Sequence, residues 1–224
     1  MSAPASLFRP AQSSWRADPA AVISRPDAAE VQIAQWNGLA IGLARSAAEV
    51  ALATWDGAMW PKNLLGHACL LSEDGLSVVH YLQWAGAAPA KAAGLDILLP
   101  GVERETPSAY RRYRSRIATI GETPGVVALV TYETQGEQAA ERFIESMTDP
   151  SLATPAGLIA GHYHVSRQGD RVLNYAEWAD VAANQAFRNS REAAVFGRVV
   201  EASPGVRPLG GALYRPFAQR RAPI

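Results

Sequence analysis

The chain has almost no cysteine and no excess of either charge: one residue, Cys69, and 21 Lys+Arg against 21 Asp+Glu in 224 residues. A lone cysteine closes no internal disulfide, which argues against a stapled secreted scaffold. A formal net charge of zero gives no global field to gather phosphates, so nucleic-acid binding as the main task is disfavoured. No run approaches the roughly 18–20 consecutive apolar residues of a membrane span. The N-terminal stretch lacks the apolar core of a signal peptide, so the expected address is the cytoplasm. G-x-S-x-G, Walker and G-x-G-x-x-G signatures are missing too, which leaves esterase, P-loop and dinucleotide readings without their motifs.

What is present is apolar content, 48% of residues against 19% charged, enough to bury a substantial core. Residues 1–29 are rich in Ala, Pro and Ser, without lasting periodicity, and are expected to be a flexible extension. The remainder is written twice. Residues 75–85, GLSVVHYLQWA, lie over residues 169–179, GDRVLNYAEWA, without a gap and at a constant offset of 94. Gly66-His67 and Gly161-His162 match with a one-residue slip, and Arg104 falls on Arg198. The period is too long for a solenoid unit, so a small domain is duplicated. The first copy is placed at 30–120, the second at 121–217, and a tail at 218–224.

Each copy reads as strand, helix, two hairpin strands, helix, strand. In the second, a strand is expected at 126–132 and a helix carrying Ala139, Ala140, Phe143, Ile144 and Met147 on one face. A hairpin at 158–166 and 171–178, a helix capped by Asp180 and a closing strand at 210–216 follow. In the first, Ser46-x-x-Glu49 reads as a capping box opening a helix that runs to about Trp55. This is the order of a ferredoxin-like α+β unit, whose sheet leaves one face bare. Two such units packed sheet to sheet in one chain, an internal α/β barrel, satisfy both bare faces.

Side chains alternate along a strand, so Asn174, Ala176 and Trp178 share one face while Tyr175 and Glu177 share the other. His80, Leu82 and Trp84 share the corresponding face of the first copy. A tryptophan and a polar group on an apolar face can line a pocket for a flat aromatic molecule. The same pattern describes a half-buried strand whose tryptophan packs in the core. His162-x-His164 points two imidazoles the same way, but no third ligand has a recognised spacing, so these are read as pocket-lining or partly exposed histidines. His67 and His80 could join a metal site only through the fold. The run 111–116 places Arg112, Arg114 and Arg116 on one strand face, read as solvated or salt-bridged. Cys69 reads as a small core residue.

Asn174-Tyr175-Ala176-Glu177-Trp178, at the end of a hairpin strand and before a short helix, resembles the NYxxW motif of the antibiotic biosynthesis monooxygenase family. That resemblance implies paired ferredoxin-like units and oxygenation of anthrone-type polyketide aromatics to quinones, without metal, flavin or haem. It implies catalytic roles for Asn174, Trp178 and Arg198, and makes His80, Trp84 and Arg104 their substrate-binding counterparts in the first copy; Tyr175, His162 and His164 are further substrate-binding candidates from their places on the hairpin strands. Asn184 stands where some members have a catalytic tyrosine, and Ala90 takes that place in the first copy. The proton acceptor is unassigned, with His80 and Glu177 as candidates. The implied partners are a hydrophobic aromatic molecule and dioxygen, with no nucleic acid and no membrane; self-association as a homo-oligomer stays open. Rival readings on the same fold are a non-catalytic small-molecule or partner binder, and a cyclase-like or haem-degrading activity.

Overall fold

The computed structural model describes Arg25 and residues 27–40, 42–56, 60–92, 94–95 and 101–222. Most of the extension expected over 1–29 therefore lies outside the described residues. The first repeat supplies β1 (Glu30–Asn37), α1 (Leu43–Ala53), β2 (Leu64–Ser72), β3 (Val78–Trp84), the two-residue β4 (Glu103–Arg104) and β5 (Ser108–Ile117). The second supplies β6 (Val126–Thr134), α2 (Glu137–Met147), β7 (Leu158–Ser166), β8 (Arg171–Trp178), α3 (Val181–Arg188), α4 (Arg191–Glu201) and β9 (Val206–Arg221).

The two ferredoxin-like units are present, and their sheets are continuous rather than stacked. Each repeat lends its last strand to the other: β5 pairs with β1 of its own repeat and with β7, and β9 pairs with β6 of its own repeat and with β2. Because β1 also pairs with β3, the pairing runs β1, β3, β2, β9, β6, β8, β7, β5 and back to β1, with β4 added on β1. Closure leaves these eight strands without a free edge. It also corrects the C-terminal boundary. Residues 218–221, expected as a tail, ladder against Gly66, His67, Ala68 and Cys69.

The period of two sorts side chains between an inner and an outer face. Inside, Val31, Leu70, Val79 and Tyr81 of the first repeat meet Val127, Leu129, Leu173 and Tyr175 of the second in one cluster. Outside, α1 lays Ala44, Ala47, Ala48, Ala51 and Leu52 on the first repeat. α2 lays Phe143, Ile144 and Met147 on the second. Helix α1 starts at Leu43 behind Gly42, whose φ of 84° is a left-handed conformation that glycine adopts without a Cβ penalty. The predicted capping box is thus one turn inside the helix, and no side chain caps its start. Asp180 caps α3 as expected, its carboxylate accepting from the Ala183 N–H at 2.7 Å. A further cap, Ser190 on the Ala193 N–H, divides the helical stretch into α3 and α4. No such pair follows β3, where residues 85–92 are irregular.

Close backbone approach positions the end of β8. The Gly125 N–H donates to the carbonyls of Trp178 and Ala179, and a Cβ at Gly125 would lie 2.3 Å from the Ala179 carbonyl oxygen. Gly125→Ala is expected to lower stability by about 1–3 kcal/mol, because a backbone atom must move. Gly197→Ala, in α4 with nothing within 4 Å of the new methyl, should raise it by roughly 0.5–1 kcal/mol. Urea denaturation of both variants checks the pair, and equal effects would refute the clash.

Candidate active site

β8 presents Asn174, Ala176 and Trp178 to the outer face, beneath α3 and α4. Together with β6, β7, β9 and the end of β5 they enclose a cavity of about 420 Å³. That is within the roughly 300–1,000 Å³ range of small-molecule sites. Its walls are apolar and aromatic: Ala128, Val130, Leu158, Leu213, Phe187 and Phe196, with Tyr132 and Tyr163. The Phe187 ring lies 5.1 Å from the Trp178 ring and 5.7 Å from that of Phe196.

Against this apolar lining, four buried polar atoms have no hydrogen-bond partner among the described residues: Trp178 Nε1, Asn174 Oδ1, Asn184 Oδ1 and Arg116 Nη1. An unmade buried hydrogen bond costs about 1–3 kcal/mol. All four side chains line the cavity, and buried polar groups of this kind are normally partnered by protein, water or a ligand. Burial pushes the Tyr132 phenol up to about 12, and burial with Tyr132 nearby pushes Tyr163 up as well, so both stay protonated as donors. None of the described lining residues is Asp, Glu or His.

Of the residues expected at the site, Asn174 and Trp178 are brought together in the cavity, and the others lie elsewhere. Arg198 is exposed on α4 and is not part of the lining. Arg104 is on β4, its guanidinium 5.7 Å from the Trp36 ring centroid, so the matching offset equates a strand residue with a helix residue. Tyr175, His162 and His164 point to the inner face. There Tyr175 lies 5.4 Å from the Tyr81 ring, the Tyr81 hydroxyl meets His164 Nε2 at 3.0 Å, and Ser115 Oγ meets His162 Nδ1 at 2.8 Å. Burial lowers His162 to about 3 and His164 to about 4, so both are neutral near pH 7. The proton-acceptor candidates are also misplaced for the cavity, since Glu177 is on the inner face and His80 is in the first repeat.

The cation that does line the cavity is Arg116, from the run read as solvated. β5 carries a bulge between Arg112 and Arg114, so Arg112 is opposite His164 while Arg116 is opposite Gly161. The extra residue moves Arg114 and Arg116 to the outer face and leaves Arg112 inside. Arg116 Nη2 donates to the Leu152 carbonyl at 2.5 Å and to Thr154 Oγ1 at 2.9 Å, while Nη1 is buried without a partner among the described residues. No pattern in the sequence announces a bulge.

The equivalent space in the first repeat is packed with side chains. Pairing places Cys69 opposite His80 as Tyr163 is opposite Asn174, and His67 opposite Leu82 as Gly161 is opposite Ala176. His67 thus corresponds to Gly161, not to His162. His80 and Trp84 are fully buried there, with the Trp36 ring 4.2 Å from that of His80. His67, Cys69 and His80 bring three ligand-type atoms within 4.8 Å. Their protonation does not suit a metal. The Trp55 indole, a donor only, contacts His67 Nδ1 at 2.8 Å, which puts the His67 proton on Nε2. That N–H faces His80 Nδ1 at 3.0 Å, and His80 Nε2 is left buried without a partner. Burial holds both imidazoles neutral, His67 down to about 3.

No family model matches the chain, and no curated protein matches it. Solved structures do. An anthrone oxidase-like protein superposes with a TM-score of 0.62 at 15% identity, over 86% of this chain and 93% of its own. A candidate monooxygenase of Lactobacillus acidophilus gives 0.55 at 10%, over 86% and 96%. One of Fusobacterium nucleatum gives 0.54 at 10%, over 87% and 95%. The chain has the fold these monooxygenase-type proteins share, as the NYxxW resemblance implied.

Burial raises the Glu177 carboxyl to about 7, and its side chain is only 14% exposed. Its ordinary value, which the unfolded chain retains, is 4.5. The folded state therefore holds the proton more tightly, and stability drops as pH rises from about 4.5 to 7. Glu177→Gln, which copies Gln83 of the first repeat, should add up to about 3 kcal/mol at pH 8 and little at pH 4. Urea unfolding at both pH values checks this, and an equal gain at each would refute it.

Proposed function

We propose that the second-repeat cavity is the site of a cofactor-independent monooxygenase that oxidises an anthrone-like polycyclic aromatic to a quinone with dioxygen. The observation that supports this reading is an apolar, aromatic-walled cavity lined by Trp178, Asn174 and Arg116, each of which carries a buried polar atom without a partner among the described residues. A flat ring system fits against Trp178 and Phe187, with a ligand carbonyl accepting from the indole N–H and a ligand hydroxyl donating to Asn174 Oδ1.

The chemistry asks for little beyond this. An anthrone loses a proton from the ring methylene opposite its carbonyl to give an electron-rich enolate, delocalised onto the carbonyl oxygen. One electron passes to dioxygen, the carbon radical and superoxide combine, and the peroxide anion takes up a proton. Loss of water from the hydroperoxide leaves the quinone, so one dioxygen yields one new carbonyl oxygen and one water. The protein's tasks are to orient the rings, to hold the enolate oxygen and to exclude bulk water. A second reading, binding of the same class of molecule without turnover, is favoured by the lack of carboxylate or imidazole among the described lining residues.

Dioxygen uptake by chelator-treated protein with a simple anthrone separates the two. Turnover predicts quinone formation above the autoxidation blank. Trp178→Phe with Asn174→Ala should reduce it by about 100-fold or more, the scale of lost transition-state donors, with an unchanged unfolding midpoint. Uptake no faster than the blank would leave a binding protein.

A further inference from the structure

We propose that this cavity takes its aromatic ligand as an anion, and that Arg116, delivered across the repeat boundary by β5, holds the anionic oxygen. This rests on the reading of the cavity as an aromatic-substrate site. It adds a charge selection and a residue that the motif does not contain.

Arg116 reaches the cavity because three features coincide. The β5 bulge turns it outward, closure of the sheet sets it opposite Gly161, and Gly161 has no side chain to fill the space. A Cβ built at Gly161 would meet only Tyr163 at 3.6 Å and Asn174 Oδ1 at 3.9 Å. One side of the guanidinium is anchored on Leu152 and Thr154, and the buried Nη1 has no partner among the described residues. A guanidinium keeps its proton in any protein setting, so this nitrogen is a permanent charged donor that requires an acceptor. Arg188 lines the cavity from α3 and adds a second positive charge, and no acidic side chain among the described lining residues offsets them.

The same composition bears on where the ligand's proton goes. With no imidazole or carboxylate among the described lining residues to accept it, the proton leaves to water before or as the ligand enters. The positive site then favours the ionised form by lowering the ligand's own pKa. The ligand class is a planar fused-ring molecule with an acidic hydroxyl or enol, acidic enough to ionise near neutral pH.

Binding can be read without turnover from quenching of tryptophan fluorescence. The probes are 2-hydroxy-1,4-naphthoquinone, an anion at neutral pH, and 1,4-naphthoquinone, its neutral counterpart. The anion should bind about 10–100-fold more tightly, the range of one charge-assisted hydrogen bond made in a buried site. Arg116→Met should abolish that preference, weakening the anion far more than the neutral probe, and Arg116→Lys should restore part of it. Thermal unfolding of both variants shows whether the anchor on residues 152 and 154 is needed for folding. If Arg116→Met does not fold, equal binding of the two probes by wild type and Arg116→Lys overturns the proposal on its own. Equal binding by wild type overturns the charge selection and leaves the aromatic site standing. A preference that survives in Arg116→Met overturns the role of Arg116. Binding of neither probe overturns the proposal together with the aromatic reading of the cavity.

Discussion

Exchange of the last strand of each repeat is the constraint on which the remaining architecture rests. A ferredoxin-like sheet alone has an open edge and one uncovered face. Here β5 bridges from β1 of its own repeat to β7, and β9 from β6 of its own to β2, so both edges and both inner faces are satisfied at once. The exchange has a chemical consequence. It places the end of a first-repeat strand beside Gly161, in the wall of the second repeat's cavity, so that site is composite although its motif lies wholly in one repeat.

The two ferredoxin-like units present comparable outer faces, and the side chains at a few registered positions make them different. Where the second repeat has Gly161, the first has His67; where it has Tyr163 and Asn174, the first has Cys69 and His80. The first set joins into a neutral chain from the Trp55 indole through His67 to His80, sealed under an alanine-rich helix. The second leaves a gap roofed by two helices, and among the described residues β3 is followed by no counterpart to them. The cavity of the second repeat has a glycine where the first repeat has an imidazole, and a pair of helices spans the space above it.

What the sequence made legible follows from the length scale of each feature. Element order, the 94-residue repeat and the shared face of Asn174 and Trp178 depend on local periodicity, which survives folding unchanged. The roles carried to His162, His164 and Tyr175 concerned residues of the opposite parity, and β7 and β8 turn them into the closed sheet. The Gly-His matches misled for the same reason. They align letters, whereas register equates His67 with Gly161 and so sets the two histidines on opposite faces. Arg104 and Arg198 share an offset and nothing else. Arg116 was hidden behind a bulge that flips the parity of its strand, a feature created by pairing with β7 and absent from any spacing rule.

The electrostatics of the two faces of β8 now oppose each other. Inward, Glu177 lies 4.0 Å from a neutral His162, in surroundings that raise its carboxyl to about 7. Outward, the cavity is lined by two guanidinium groups and no acidic side chain among the described residues, and its phenols stay protonated. A general base placed among these cations would be held ionised and paired, losing basicity as it gained partners. A site built this way is better suited to a ligand that brings its own negative charge than to one from which the protein must remove a proton. Asn184 suits that setting, since its amide is buried at 4% exposure and does not titrate.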